Sequence, residues 1–206
     1  MAYNYEEEEV TFPSGLENNS PNFKVCCIGE TVFPPYTISG WTTLGELIGA
    51  HEHVTSLSMC DVYTIGRAPF EAMMRGVACN RSLQEVSIIW CNGVWGSVVE
   101  ILTPFMEQNN NLIKFDISLC DNMHSNEIHS LSSTFGNNGG RSLRVLRLSQ
   151  NNMTDVMVAE LIPSLAGLTE LRELHLGNNM IGMRQCESFV HKHSKILKRD
   201  EKSTCH

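Results

Sequence analysis

Leu143-Arg-Val-Leu-Arg-Leu-Ser-Gln-Asn151 returns further along the chain as Leu171-Arg-Glu-Leu-His-Leu-Gly-Asn-Asn179. Both fit L-x-x-L-x-L-x-x-N, and a nonamer recurring at this spacing marks a repeat architecture rather than a local motif. Towards the N-terminus the pattern recurs with cysteine in the ninth place. Leu112, Phe115, Ile117 and Cys120 form one copy, and Leu83, Val86, Ile88 and Cys91 another. Two degenerate copies precede them: Glu52, Thr55, Leu57 and Cys60, then Phe23, Cys26, Ile28 and Thr31. The units therefore start near residues 23, 52, 83, 112, 143 and 171.

Apolar residues alternate at the centre of each nonamer, the period of a short strand with one buried face. The ninth residue sits where the chain leaves the strand and turns. A short polar side chain there can satisfy backbone groups that a buried turn would orphan. Cys60, Cys91, Cys120, Asn151 and Asn179 are the expected ladder of such residues. Beyond them apolar residues recur at helical offsets, as in Phe70, Met74 and Val77 or Leu161, Leu165 and Leu168. Each unit reads as strand, turn and helix. One unit cannot bury its own apolar face, so the units must stack.

The chain on these residues resembles a leucine-rich-repeat protein of the ribonuclease-inhibitor-like class, whose long repeats carry a true helix. The resemblance is carried by residues 83 to 190, extends to 52, and is weakest over 23 to 51. It implies an α/β fold, a right-handed solenoid bent into a horseshoe arc of five to six repeats. A parallel sheet would line the concave side and helices the convex side. His193 stands where the last helix should place an apolar core residue, so the array is expected to end there or to be a piece of a longer one.

Three segments are expected: an acidic leader over 1–22, solvated or acting as an N-terminal cap; the solenoid over 23–197; and a frayed tail over 198–206. Four glutamates follow Tyr5, where a signal or transit peptide would be basic. No apolar run approaches the roughly 20 residues of a membrane span. With charged residues at 18% and a net charge of −8, an intracellular chain is expected, cytoplasmic or nuclear. Thr42 or Thr43 is the expected N-cap of the first long helix, with Leu44, Leu47 and Ile48 facing inward. Pro104 should kink or shorten its helix, Gly167 should mark a helix end, and Gly136-Asn-Asn-Gly-Gly140 should form a flexible loop.

The eight cysteines show no C-x-x-C and no zinc spacing. Cys26 and Cys27 are adjacent on a strand and should face opposite sides, poorly placed to hold one ion. Reduced structural cysteines, no metal and no cofactor are expected. There is no nucleophile elbow, phosphate-binding glycine loop or H-E-x-x-H, so no enzymatic activity is expected.

Binding is expected on the concave face, where the non-core strand positions project. Met59, Ile89, Trp90 and Leu119 should form an apolar patch in its N-terminal half, with Trp90 as anchor, unless Trp90 or Leu119 folds over the strand edge and packs under the ascending loop. Arg144, Arg147, Arg172 and His175 should form a basic cluster in its C-terminal half, suited to carboxylates or phosphate, with Arg147 as electrostatic selector. The arginines could also pair with Asp116 and Glu173 as a solvated surface. The leading expectation is an intracellular scaffold that binds a protein partner. Regulation of an enzyme, as by GTPase-activating proteins for a Ran-type GTPase, or a sensor region of an immune receptor, is the alternative that the resemblance suggests. Net acidity argues against nucleic acid as the partner.

Overall fold

The structure is a computed structural model that describes residues 12–29, 37–60, 66–89, 98–120, 123–137 and 139–182. Among these residues six strands form one all-parallel sheet in sequence order: β1 Val25–Ile28, β2 Ser56–Cys60, β3 Glu85–Ile89, β4 Lys114–Ser118, β5 Val145–Arg147 and β6 Glu173–His175. Helices alternate with them: α1 Ser14–Glu17, α2 Ile38–Ala50, α3 Arg67–Val77, α4 Val98–Gln108, α5 Ser125–Gly136 and α6 Asp155–Leu165. A strand that pairs only with its sequence neighbours, each followed by a helix, is an arrangement compatible with a solenoid. None of the described helices is long and apolar enough to cross a membrane.

The register fixes the phase of every unit. Val86, Phe115, Leu146 and Leu174 lie side by side with Leu57 and Cys26. The residue two places before each of these also runs in register. Thr55 donates its N–H to Lys24 O, Gln84 to Thr55 O, Ile113 to Gln84 O, Arg144 to Ile113 O and Arg172 to Arg144 O, at 2.7–2.9 Å. The second unit therefore starts at Val54, not at Glu52. Leu57 and Met59 are its two central core residues, and Cys60 ends the strand opposite Ile89. Cys60 is thus not a ladder residue. Its ninth position is Val62, which lies outside the described residues, as does Cys91.

The remaining ladder residues do what a buried turn requires. Asn151, fully buried, accepts from Cys120 N–H at 3.1 Å and donates to Ile117 O at 2.6 Å. Asn179 accepts from the N–H groups of Asn151 and Met153 and donates to Leu148 O and Leu176 O. Cys120 Sγ lies 3.6 Å from Ile88 O and Ser118 O. The residue before each of these takes a left-handed backbone: Leu119 at φ 61°, Gln150 at 57° and Asn178 at 54°. One turn geometry is used three times.

A second row of buried polar residues lies at the other end of the strands. His51, Asn80 and Asn109 stand three residues before Val54, Leu83 and Leu112. Asn80 accepts from the N–H groups of Ser82 and Leu83 and donates to Ile48 O and His51 O of the unit before. Asn109 accepts from Asn111 N–H and donates to Leu83 O. His51 Nδ1 accepts from the N–H groups of His53 and Val54, so Nε2 carries the proton and donates to Gly15 O at 3.1 Å. With both amide hydrogens donated, the Asn80 side chain is committed to this turn. In the next unit Gly140, at φ 71°, occupies the same place and accepts from Leu143 N–H.

Several local expectations change. Residues 12–22 are anchored rather than wholly solvated: Phe12 and Leu16 are buried in the core and Asn19 Oδ1 accepts from Glu52 N–H at 2.9 Å, while Ser14, Glu17, Asn18, Pro21 and Asn22 are exposed. Helix α2 starts earlier than expected, because Thr37 is its N-cap and accepts from Gly40 N–H at 3.1 Å. Thr42 and Thr43 instead donate back to Ile38 O and Ser39 O within the helix. Leu44 and Ile48 face the core and Leu47 packs against it. Helix α4 runs to Gln108, four residues past Pro104, whereas α6 ends where expected, with Leu165 its last residue, Ala166 its cap and Gly167 directly after. The segment closing α5 is a packed turn, since Gly139 and Gly140 are buried and Gly139 N–H donates to Thr134 O at 2.8 Å. His193 and the tail lie outside the described residues.

Strand residues at the fourth and sixth places and the inner faces of the helices form one continuous apolar core. Phe70, Phe105, Phe115 and Phe135 are its largest buried side chains. Each such side chain contributes about 1.5–3 kcal/mol through burial. Helices α2 and α3 approach closest, with Gly45, Gly49 and Gly76 at the contact.

Candidate functional site

Residues between the core positions make up the other face of the sheet. Its central row runs Cys27, Ser58, Ser87, Asp116, Arg147 and His175, each beside the next. The row before it runs Val25, Ser56, Glu85, Lys114, Val145 and Glu173. The row after it holds Cys60, Ile89 and Ser118. Along the central row, the half nearer β1 is small and uncharged and the half nearer β6 carries the charges.

Those charges are organised in pairs. Asp116, only 4% exposed, accepts from Ser118 Oγ at 2.6 Å and faces Arg147 Nη1 at 3.7 Å. A carboxylate this buried needs both partners, since removing either leaves a desolvated charge. Arg147 Nε is itself shielded from solvent and has no hydrogen-bond partner among the described residues. Lys114 Nζ sits 3.7 Å from Glu85 Oε2 across β3 and β4, half in water, so this pair is worth about 0–1 kcal/mol. His175 Nε2 lies 3.2 Å from Glu173 Oε2 on its own strand. Arg144 and Arg172 are exposed at the sheet edge where β5 and β6 begin.

The expected basic cluster therefore divides in two. Arg147 and His175 lie side by side on the open face and are engaged with carboxylates; Arg144 and Arg172 lie at its rim. The expected apolar patch does not form as drawn. Met59 is fully buried beside Ile88, because the two-residue shift of the second unit moves it to a core position. Leu119 belongs to the left-handed turn after β4, half-buried, with its N–H donated to Ser149 O at 3.1 Å. Of the four residues Ile89 remains on the face, and Trp90 lies outside the described residues.

The cysteines divide by face as their adjacency requires. Cys26 is fully buried in the core, and burial, with Cys27 adding to it, pushes its thiol up to about 12. It stays a neutral thiol at physiological pH and packs as a small apolar residue. Among the described residues no three His, Cys, Asp or Glu side chains are grouped to hold a metal ion. Sequence reading missed two parts of this picture: the burial of Asp116, and the row of His51, Asn80 and Asn109. The first carries no sequence signal. The second does, a polar residue three places before each unit's first apolar one. No protein-family model matches the chain, and a search of curated proteins finds no match.

Proposed function

We propose that this chain is an intracellular leucine-rich-repeat scaffold of the ribonuclease-inhibitor-like type, and that it binds a protein partner through the open face of its sheet. The observation that carries this reading is the face itself. Six in-register strands present side chains that the core does not use, while the opposite face is covered by helices. A parallel sheet is ordinarily covered on both faces. One that the described residues leave uncovered, and that is built of serine, charged pairs and Ile89 rather than a continuous apolar layer, is suited to reversible contact with another folded surface.

The test compares capture from native cytosol by three forms of the chain with checked folds. Ser87→Trp places an indole at the centre of the open face. Val156→Glu alters an exposed position on α6, on the helix side. The expected result is a partner retained by wild type and Val156→Glu and reduced about tenfold or more by Ser87→Trp. A partner lost from Val156→Glu and kept by Ser87→Trp would move binding to the helices.

A further inference from the structure

The arginines of the sheet do not share one situation. On the face, Arg147 is held beside Asp116 and His175 beside Glu173. At the rim, Arg144 and Arg172 stand opposite each other where adjoining strands begin, joined by the bond from Arg172 N–H to Arg144 O at 2.9 Å. Both are exposed, and among the described residues neither has a carboxylate within ion-pair range. Like charges placed opposite each other on neighbouring strands repel. The same rim position is Lys24, Thr55, Gln84 and Ile113 in the four units before, so two positive charges adjoin at β5 and β6 and nowhere else in this row. Arg141, exposed just before this edge, adds to it, and Glu170 is the exposed acid closest in sequence.

We propose that the partner presents an acidic segment, and that this segment lies along the rim of β5 and β6 with its carboxylates on Arg144 and Arg172. The inference rests on the open-face reading above and names the chemistry of what that face receives. The guanidinium fork matches a carboxylate in two parallel hydrogen bonds, and two forks on adjoining strands offer places for successive acidic side chains of one extended segment. The chain's net charge of −8 disfavours such a segment over the surface as a whole, which confines it to this edge. Arg147 then has a positioning role: it keeps Asp116 neutralised and the face in shape, and the rim pair selects.

The experiment selects from a displayed library of random dodecapeptides on the wild-type chain. The resulting pool is then measured against Arg144→Glu/Arg172→Glu and against Ser87→Trp, each checked for an unchanged thermal transition. The expected pool is enriched in Asp and Glu, weakens as salt rises, and loses affinity about tenfold or more on the rim double variant. A pool without acidic enrichment, lost on Ser87→Trp and kept on the double variant, overturns the acidic-segment proposal and leaves the open face as the binding surface. A pool kept equally by both variants, or no enriched pool at all, overturns both. A single-stranded oligonucleotide that displaces the peptides through the same arginines overturns the choice of a protein segment.

Discussion

Replacing Gly76 with alanine is expected to destabilise the protein by about 3 kcal/mol, although alanine in place of a helical glycine ordinarily stabilises by about 1 kcal/mol. The reversal comes from the contact between α2 and α3. A Cβ on Gly76 would lie 2.3 Å from Gly45 C and 2.6 Å from Glu46 N. Reciprocally, a Cβ on Gly45 would meet Met73 O, and one on Gly49 would meet Gly76 O, each at 2.2 Å. These are backbone atoms in the middle of helices and cannot swing aside. The helices must separate, and Leu44, Ile48, Met73 and Val77, all buried in the core, then lose contact with one another. Urea denaturation measures the effect as a lowered midpoint. Gly136→Ala is the control, because nothing lies within 4 Å of its added methyl group; its midpoint should move little. A Gly76→Ala midpoint at or above wild type would mean that the two helices do not pack as described.

The second large effect is expected at Asn151. Its side chain joins the turn after β5 to the end of β4 and the turn beyond it, accepting from Cys120 N–H and donating to Ile117 O. Alanine removes the donor of the buried Ile117 O and the acceptor of the half-buried Cys120 N–H, and the loss of the first alone costs about 1–3 kcal/mol. Its own N–H is held by Asn179, and the disturbance should pass to the next turn. Asn178, just before Asn179 in the next turn, is exposed at φ 54°. Asn178→Gly, which keeps the left-handed backbone, should therefore leave stability nearly unchanged. Equal losses for the two substitutions would deny the ladder its structural role.

The four units from residue 83 onward were legible because leucine, phenylalanine and asparagine stand in nearly ideal places. The register then puts Val86, Phe115, Leu146 and Leu174 side by side as the spacing requires. The unit before them was misplaced by two residues for an identifiable reason. Cys60 imitates a ladder residue, and the apolar helix spacing of Phe70, Met74 and Val77 agrees with either phase. His51 resolves the choice. It stands three residues before Val54 as Asn80 stands before Leu83, and both satisfy the N–H groups of the turn into the strand. The error carried Met59 from the core onto the binding face. Burial of Asp116 was not legible, since a central strand position says which face a residue takes and not how deeply its neighbours cover it. The pairing with Arg147 follows from adjacency across β4 and β5, which the spacing does supply. The N-cap of α2 was not legible, because the apolar period of Leu44, Leu47 and Ile48 does not say how far before it the helix begins, and Thr37 caps it five residues ahead of Thr42.

Hydrogen–deuterium exchange of the chain, free and with its captured partner, tests the central claim most directly. Binding through the open face predicts slowed exchange in peptides covering 84–89, 113–118, 144–149 and 172–177, strongest over the last two, with α3, α5 and α6 unchanged. Slowed exchange along those helices, with none in the strand peptides, would contradict it.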